Sequence, residues 1–175
     1  IGLSKNKDYV NCISNISEVQ NLGAYNEELV LRYFTFRNNR EAFKHDISDF
    51  LTEYMEGVSS GSIAFDYKEN EDNFLKVFKL FNDTHGDKVF GRIGGDDKLQ
   101  SNFNIYHFES LTMGIQSVIE NLDLTNAAVI DDYKQKIINL KKDPIFKTET
   151  TGGGKNSPGP LRKRIEIAQR YFVEG

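Results

Sequence analysis

The chain has 175 residues, a formal net charge of −4 and 38% hydrophobic residues, which is enough for one domain with a buried core. Its only cysteine, Cys12, cannot form an intrachain disulfide, and no apolar run approaches the roughly 20 residues that cross a bilayer. The negative charge excludes nucleic-acid binding through the overall field, so such binding would need a local basic patch. Because no segment resembles a signal peptide, we expect one cytoplasmic domain over residues 1–175 and no membrane partner.

Two helices joined by a turn are predicted in the first third of the chain. Asn26 is followed by two glutamates, a pattern typical of a helix start, because Asn accepts bonds from free N–H groups and acids favour the positive end of the helix dipole. The second helix is predicted over residues 41–56, where apolar side chains recur with a helical period. Asn38 and Asn39 lie between the two. The segment therefore predicts a helical hairpin that contributes core and no chemistry.

Four more helices are predicted from apolar side chains at helical spacing. They cover residues 70–83, 104–121, 127–142 and 160–172. Residues 62–67 have the composition of a short strand, and residues 148–160 have that of a loop. The chain is thus predicted to be an all-α domain of about six helices with long glycine-rich loops, with one short strand pair left open. The side chains expected in the core are Leu29, Phe34, Phe50, Leu51, Phe78, Phe108, Leu111 and Ile115.

The segment TGGGKNS, residues 151–157, has part of the pattern of a nucleotide-binding loop. The full motif needs a glycine where Glu149 stands and a Ser or Thr where Asn156 stands, so we do not expect a nucleotide loop. Helix N-termini bind anions without any full motif. Contact between a phosphate and Lys155 with its loop is the alternative that this pattern leaves open.

Asp66 and Lys68 follow the predicted strand with a spacing that metal-dependent nucleases use. Such a site needs another carboxylate nearby, and Asp46 and Asp49 are expected on the solvated side of their helix. We therefore keep an autonomous metal nuclease with these two residues only as an alternative function.

The histidines and the cysteine do not form a recognisable reactive or metal-binding pattern. His45, His85 and His107 lack the spacing that would place two zinc ligands on one helix face. Nothing near Cys12 supplies the basic environment that lowers a thiol pKa. We expect no metal, no cofactor and no catalytic residue.

The basic residues of the chain concentrate at its C-terminal end, where residues 155–170 contain a single acid, Glu166. A helical projection from Pro160 turns the apolar side chains to the core and leaves Arg162, Lys163 and Arg170 largely outward. An ordinary solvated helix face is the alternative. The side chains predicted to contact nucleic acid or phosphate are Lys155, Arg162, Lys163 and Arg164.

Four segments carry a resemblance to a known family. They are NEELVLRYFTFRNNREAFKHDISDFLTEYMEG, KVFGRIGG, NIYHFESLTMGI and TETTGGGKNSPGPLRKRIEIAQ. Their order resembles the C-terminal helical half of a prokaryotic domain-of-unknown-function family whose N-terminal half is ParB/sulfiredoxin-like, and which includes the GmrS-type part of modification-dependent restriction systems. The similarity spans most of residues 25–172. It depends on the apolar pattern, Arg32, Phe90, Gly91 and the Thr/Gly/Ser loop before Arg164.

The resemblance implies a function in which the helical portion is not the catalyst. The family's catalytic association belongs to the ParB-like half, with an Asp-Gly-Gln-Arg type motif, and this chain contains neither that motif nor the His-centred nuclease motif of some members. What is implied is a non-catalytic domain of an anti-phage, DNA-processing protein that docks the ParB-like domain of the same polypeptide. A protein-interaction module with an acidic partner is the remaining alternative.

Overall fold

The computed structural model describes residues 2–16, 24–44 and 46–174, and in these residues it contains α-helices and 3-10 turns. The α-helices are α1 Lys7–Cys12, α2 Tyr25–Asn39, α3 Ile47–Ser60, α4 Tyr67–Thr84, α5 Ile105–Gly114, α6 Ala127–Lys142, α7 Pro144–Glu149 and α8 Pro158–Glu174. The described residues form no strand, only an isolated antiparallel bridge between Ile93 and Leu99. The all-α prediction is confirmed, with eight described helices where about six were expected. The short strand at residues 62–67 is not observed.

Helices α2 and α3 form the predicted hairpin, but both begin elsewhere than predicted. Tyr25 opens α2 behind Ala24, which has a φ of 57°, so Asn26 lies inside the first turn and is not the cap. Helix α3 begins at Ile47 because the Asp46 carboxylate accepts a hydrogen bond from the Asp49 N–H at 2.9 Å. It continues beyond residue 56, the predicted end, as far as Ser60. Gly61 follows with a φ of 77° and ends the helix.

The later helices follow the sequence pattern more closely. Helix α6 has the predicted ends, and the Asn126 side chain caps it by accepting from the Ala128 N–H at 3.0 Å. The helix predicted over residues 104–121 is instead α5, which ends at Gly114, followed by two 3-10 turns that reach Asn121. Pro144 ends α6 as expected and also opens α7.

Helices α5 and α8 approach each other closely at Gly114. A Cβ atom placed on Gly114 would lie 2.6 Å from the Cβ of Ala168 and 2.9 Å from the backbone nitrogen of Gln169. A larger residue at position 114 would therefore collide with the backbone of α8, and glycine permits this close approach of the two helices.

Aromatic rings fill the centre of the core around Phe78 of α4. Its ring centroid lies 4.4 Å from that of Phe74 and 4.9 Å from that of Tyr9. Rings from α2 and α5 complete the cluster, with Tyr33 at 5.8 Å and Phe108 at 6.2 Å. All eight side chains predicted for the core are buried. Among the described residues, no helix combines the length and apolar character that spanning a membrane requires.

Candidate functional site

The basic C-terminal end is built by α7, the glycine-rich segment and α8. The Asp143 carboxylate caps α7 by accepting from the N–H groups of Ile145 and Phe146 at 2.8 and 2.9 Å. Helix α8 turns its apolar stripe inward, and its outward face presents Arg162, Lys163 and Arg170, all exposed. The predicted orientation of this helix is confirmed.

Arg164 lies in the interior and not on the predicted contact surface. Its side chain is 1% exposed, and its Nη2 is paired with the Glu109 carboxylate of α5. Its Nη1 donates to the Lys155 carbonyl at 2.7 Å, and its guanidinium stacks 4.8 Å from the Tyr106 ring centroid. The expectation that Arg164 contacts phosphate therefore needs correction: three residues after Leu161, it shares the buried face of α8, where Glu109 supplies a countercharge.

Glu109 also binds a second arginine. The Arg32 Nη1 lies 2.8 Å from a Glu109 oxygen, and its Nη2 lies 3.1 Å from the carboxylate of Glu28, one turn earlier on α2. Both arginines join α2, α5 and α8 through one buried carboxylate, which is a structural task.

Lys155 and Lys163 share the carboxylate of Glu149 at the end of α7. The Lys163 Nζ lies 2.7 Å from one Glu149 oxygen, and the Lys155 Nζ lies 3.4 Å from the other. The hydrogen bond from Lys163, with the charge of Lys155, holds the pKa of Glu149 below its ordinary value. Part of the positive charge predicted for phosphate contact is thus compensated within the chain. Lys163 remains half-exposed, so solvent still reaches its ammonium group.

The glycine-rich segment does not form a nest of free N–H groups at the start of α8. Pro158 and Pro160 carry no N–H, and the Leu161 N–H already donates to the Ser157 carbonyl at 3.2 Å. Of the first four helical residues, only Gly159 keeps an uncommitted donor, and a cradle for phosphate needs several. The side chains of the outward face, and not the helix terminus, are the groups available to an anion.

The side chains of Asp66 and Lys68 bond to residues of the helix that they begin. The Asp66 carboxylate caps α4 by accepting from the Glu69 N–H at 2.9 Å, and the exposed Lys68 pairs with Asp72 one turn later. In the part of the chain that the structure describes, no three His, Cys, Asp or Glu side chains are grouped so that they could hold a metal ion. His45 lies outside the described residues.

A buried pair of bases, Lys141 and His107, was not found by sequence reasoning. Lys141 is 1% exposed, and its ammonium donates to the carbonyls of Val89, at 2.7 Å, and Gly91. The third neighbour of its Nζ is the Nδ1 of His107, at 3.3 Å. Burial lowers the pKa of Lys141 to about 7. Burial and the neighbouring lysine lower the pKa of His107 well below its ordinary value. The residue type alone does not distinguish Lys141 from the other lysines of α6, which are not buried.

Of the residues predicted to contact phosphate, Arg162 is the one that is both exposed and without an ion-pair partner within the described residues. Arg170, on the same face, is also exposed. No protein-family model, curated protein or solved structure matches this chain. Its function must therefore be argued from the side chains described above.

Proposed function

We propose that this chain is a non-catalytic helical domain of a restriction-type, DNA-processing protein. In this proposal it supports a nuclease-like ParB-type half of the same polypeptide and adds weak, sequence-independent contacts to the nucleic-acid backbone. The restriction-type, ParB-associated part of the proposal is based on the family resemblance. The observation that carries the binding part is the outward face of α8, where Arg162, Lys163 and Arg170 are exposed in a chain whose net charge is −4.

The acidic side chains are used in helix caps and ion pairs, which supports a non-catalytic role. Asp46, Asp66 and Asp143 cap helices, Glu109 is enclosed by two arginines, and Glu149 is bound by two lysines. A metal-assisted nuclease needs carboxylates that converge on one point with free oxygens. We therefore expect the purified chain to hydrolyse no nucleotide and to cut no DNA with or without Mg²⁺. Turnover that is lost in Asp66→Asn but kept in Asp132→Asn would overturn this expectation.

The expected strength of the nucleic-acid contact follows from counterion release. Three basic side chains that neutralise about three phosphates give a salt slope near −2.7 on a log-log plot, so tripling the salt weakens binding by about twentyfold. Because Glu149 compensates part of the charge of Lys163, this slope is an upper limit for the face. Such binding has no base contacts and is therefore independent of sequence.

The test uses a fluorescent DNA duplex titrated at several salt concentrations. Replacing Arg162 and Lys163 with alanine should flatten the salt slope by nearly two units, because each side chain accounts for about 0.9. The matched control replaces Lys5 and Lys7, two exposed lysines near the N-terminus, and removes the same net charge. Equal loss in both variants would mean that only overall charge matters.

Two other outcomes contradict the proposal in different ways. Undetectable binding at low salt would make the basic face an ordinary solvated surface and would favour an acidic protein partner. Absence of a ParB-like coding segment upstream of the Ile1 codon in the same gene would remove the proposed catalytic half. The first result concerns α8 alone, and the second concerns the family setting.

A further inference from the structure

The buried bases Lys141 and His107 lie where four segments of the chain meet. Lys141 is near the end of α6, and His107 is on α5. The loop after α4 contributes the carbonyls of Val89 and Gly91. The residue that follows α7, Thr150, places its hydroxyl 3.3 Å from the Nε2 of His107.

The contacts allow an arrangement of the protons in which every donor of this junction has an acceptor. The ammonium of Lys141 has three hydrogens, and three acceptors surround it: two carbonyls and the His107 Nδ1. His107 then carries its proton on Nε2, which donates to the Thr150 hydroxyl, and that hydroxyl donates to the Phe146 carbonyl at 2.8 Å. This arrangement satisfies every polar hydrogen while His107 is neutral. A second proton, on Nδ1, could be donated to the Gly91 carbonyl at 3.0 Å, but it would put a positive charge 3.3 Å from the Lys141 ammonium nitrogen.

No negative charge in the described part of the chain is bonded to this pair. The other charged or titratable groups that act on it are also basic: Arg92 lowers the pKa of His107, after the larger effects of burial and Lys141, and Lys141 in turn acts on His85. The glycine-rich segment 151–157 leaves this junction directly at Thr150. Its anchors here are the Thr150 hydroxyl and the Thr150 carbonyl, which accepts from Arg92 and Asn104, each at 3.4 Å.

We propose that His107 and Lys141 form a proton-sensitive latch that fixes the start of the glycine-rich segment. Uptake of a proton by His107 puts two positive charges on one buried pair without a carboxylate, and opening the junction relieves their repulsion. Opening releases Thr150 and loosens residues 151–157. The latch stands independently of the proposed function, because it follows from the fold and not from what α8 binds.

The sign of the effect follows from proton linkage. The open state lets His107 titrate near its ordinary pKa, whereas in the closed state that pKa lies well below 6.5. The open state therefore binds more protons in this window, and the opening equilibrium grows by up to about tenfold for each pH unit below 6.5. Above pH 6.5 His107 is neutral in both the open and the closed state, so its titration no longer favours opening.

The experiment measures amide hydrogen exchange of peptides that cover residues 150–157, corrected for the intrinsic effect of pH. We expect wild-type protection to fall by about fivefold between about pH 6.5 and 5.5. In His107→Gln, which keeps a polar side chain but cannot titrate, protection should no longer depend on pH in this window. The matched control is His85→Gln, which removes the half-buried histidine bonded to the Lys134 carbonyl and should keep the wild-type dependence.

An NMR titration of the wild-type chain keeps the proposal testable if His107→Gln does not fold. His107 should be neutral near pH 7 with its proton on Nε2, and in Lys141→Met its pKa should move up towards the ordinary value. Two results would overturn the latch. One is a wild-type His107 that titrates normally, and the other is a His107→Gln chain that loses protection as the wild type does.

Discussion

Two buried ionisable side chains lie two residues apart on α5, and their surroundings differ completely. Glu109 is enclosed by the guanidinium groups of Arg32 and Arg164, so opposite charges meet in the interior. His107 faces Lys141, and only carbonyls and a hydroxyl complete its shell. In the Glu109 network the Nε atoms of both arginines have no hydrogen-bond partner among the described residues, whereas both ring nitrogens of His107 have polar neighbours. The comparison shows that opposite charges hold the first network, whereas the second places a lysine against a histidine whose pKa lies well below its ordinary value.

The largest effect on stability is expected when the Glu109 carboxylate is removed. Glu109→Ala leaves Arg164 buried without its countercharge and leaves Arg32 with only Glu28, and we expect it to lower the free energy of unfolding by about 3 to 5 kcal/mol. Urea unfolding followed by circular dichroism at 222 nm measures the change. Arg164→Met placed in the Glu109→Ala background should restore part of the loss, because one uncompensated charge disappears with an apolar side chain of similar length. No restoration would mean that the loss comes from packing.

The second prediction concerns Lys141 and the dependence of stability on pH. Lys141 has a native pKa of about 7 and an unfolded value of 10.5, so between these pH values the unfolded chain binds more protons. The free energy of unfolding should therefore rise with pH above 7, by up to about 1.4 kcal/mol per pH unit, and Lys141→Met should remove this rise. The window closes below pH 10 because burial raises the pKa of Tyr9, which favours unfolding once free tyrosines ionise. A Lys141→Met chain with the wild-type slope would contradict the assignment.

The smallest effect is expected at the cluster in which the buried Glu149 side chain is bound by Lys155 and by the half-exposed Lys163. Glu149→Gln removes the charge but keeps the shape, and we expect a loss of no more than about 1 kcal/mol, measured by the same urea unfolding. Since the pKa of Glu149 is lowered, mainly by its bond from Lys163, this contribution exists above about pH 4.5 and is lost as the pH falls. Salt should weaken it, which distinguishes it from Glu109. A loss comparable with that of Glu109→Ala would contradict the ranking.

Local sequence predicted the helices well where several signals agreed. Helix α6 has a capping Asn126, a regular apolar period and a proline behind it, and both of its ends are as predicted. Helix α3 was predicted to start near residue 41 because Phe43 fits the same period, yet Phe43 belongs to the preceding turn and packs on Phe36. The start of α3 is determined by the cap at Asp46, which the hydrophobic period alone does not reveal.

The site residues were harder to predict because their partners are distant in sequence. Arg164 and Lys141 are charged residues on amphipathic helices, and the general expectation places both outside. Glu109 lies 55 residues from Arg164, and Gly91 lies 50 residues from Lys141. Neither separation leaves a local pattern, so burial of these side chains became visible only with the fold. Arg162 and Lys163 lack such partners on the buried face, and their predicted exposure is confirmed.

The contact of Gly114 with Ala168 also determines how the charges of α8 are presented. The close approach leaves no room for a Cβ at position 114, which would collide with the backbone of α8 at Ala168 and Gln169. Arg162 and Arg170 lie on this closely packed helix, separated by about two helical turns. A methyl group added at position 114 would require the two helices to shift locally. The packing of Gly114 against Ala168 thus contributes to the orientation of the charged side chains of α8.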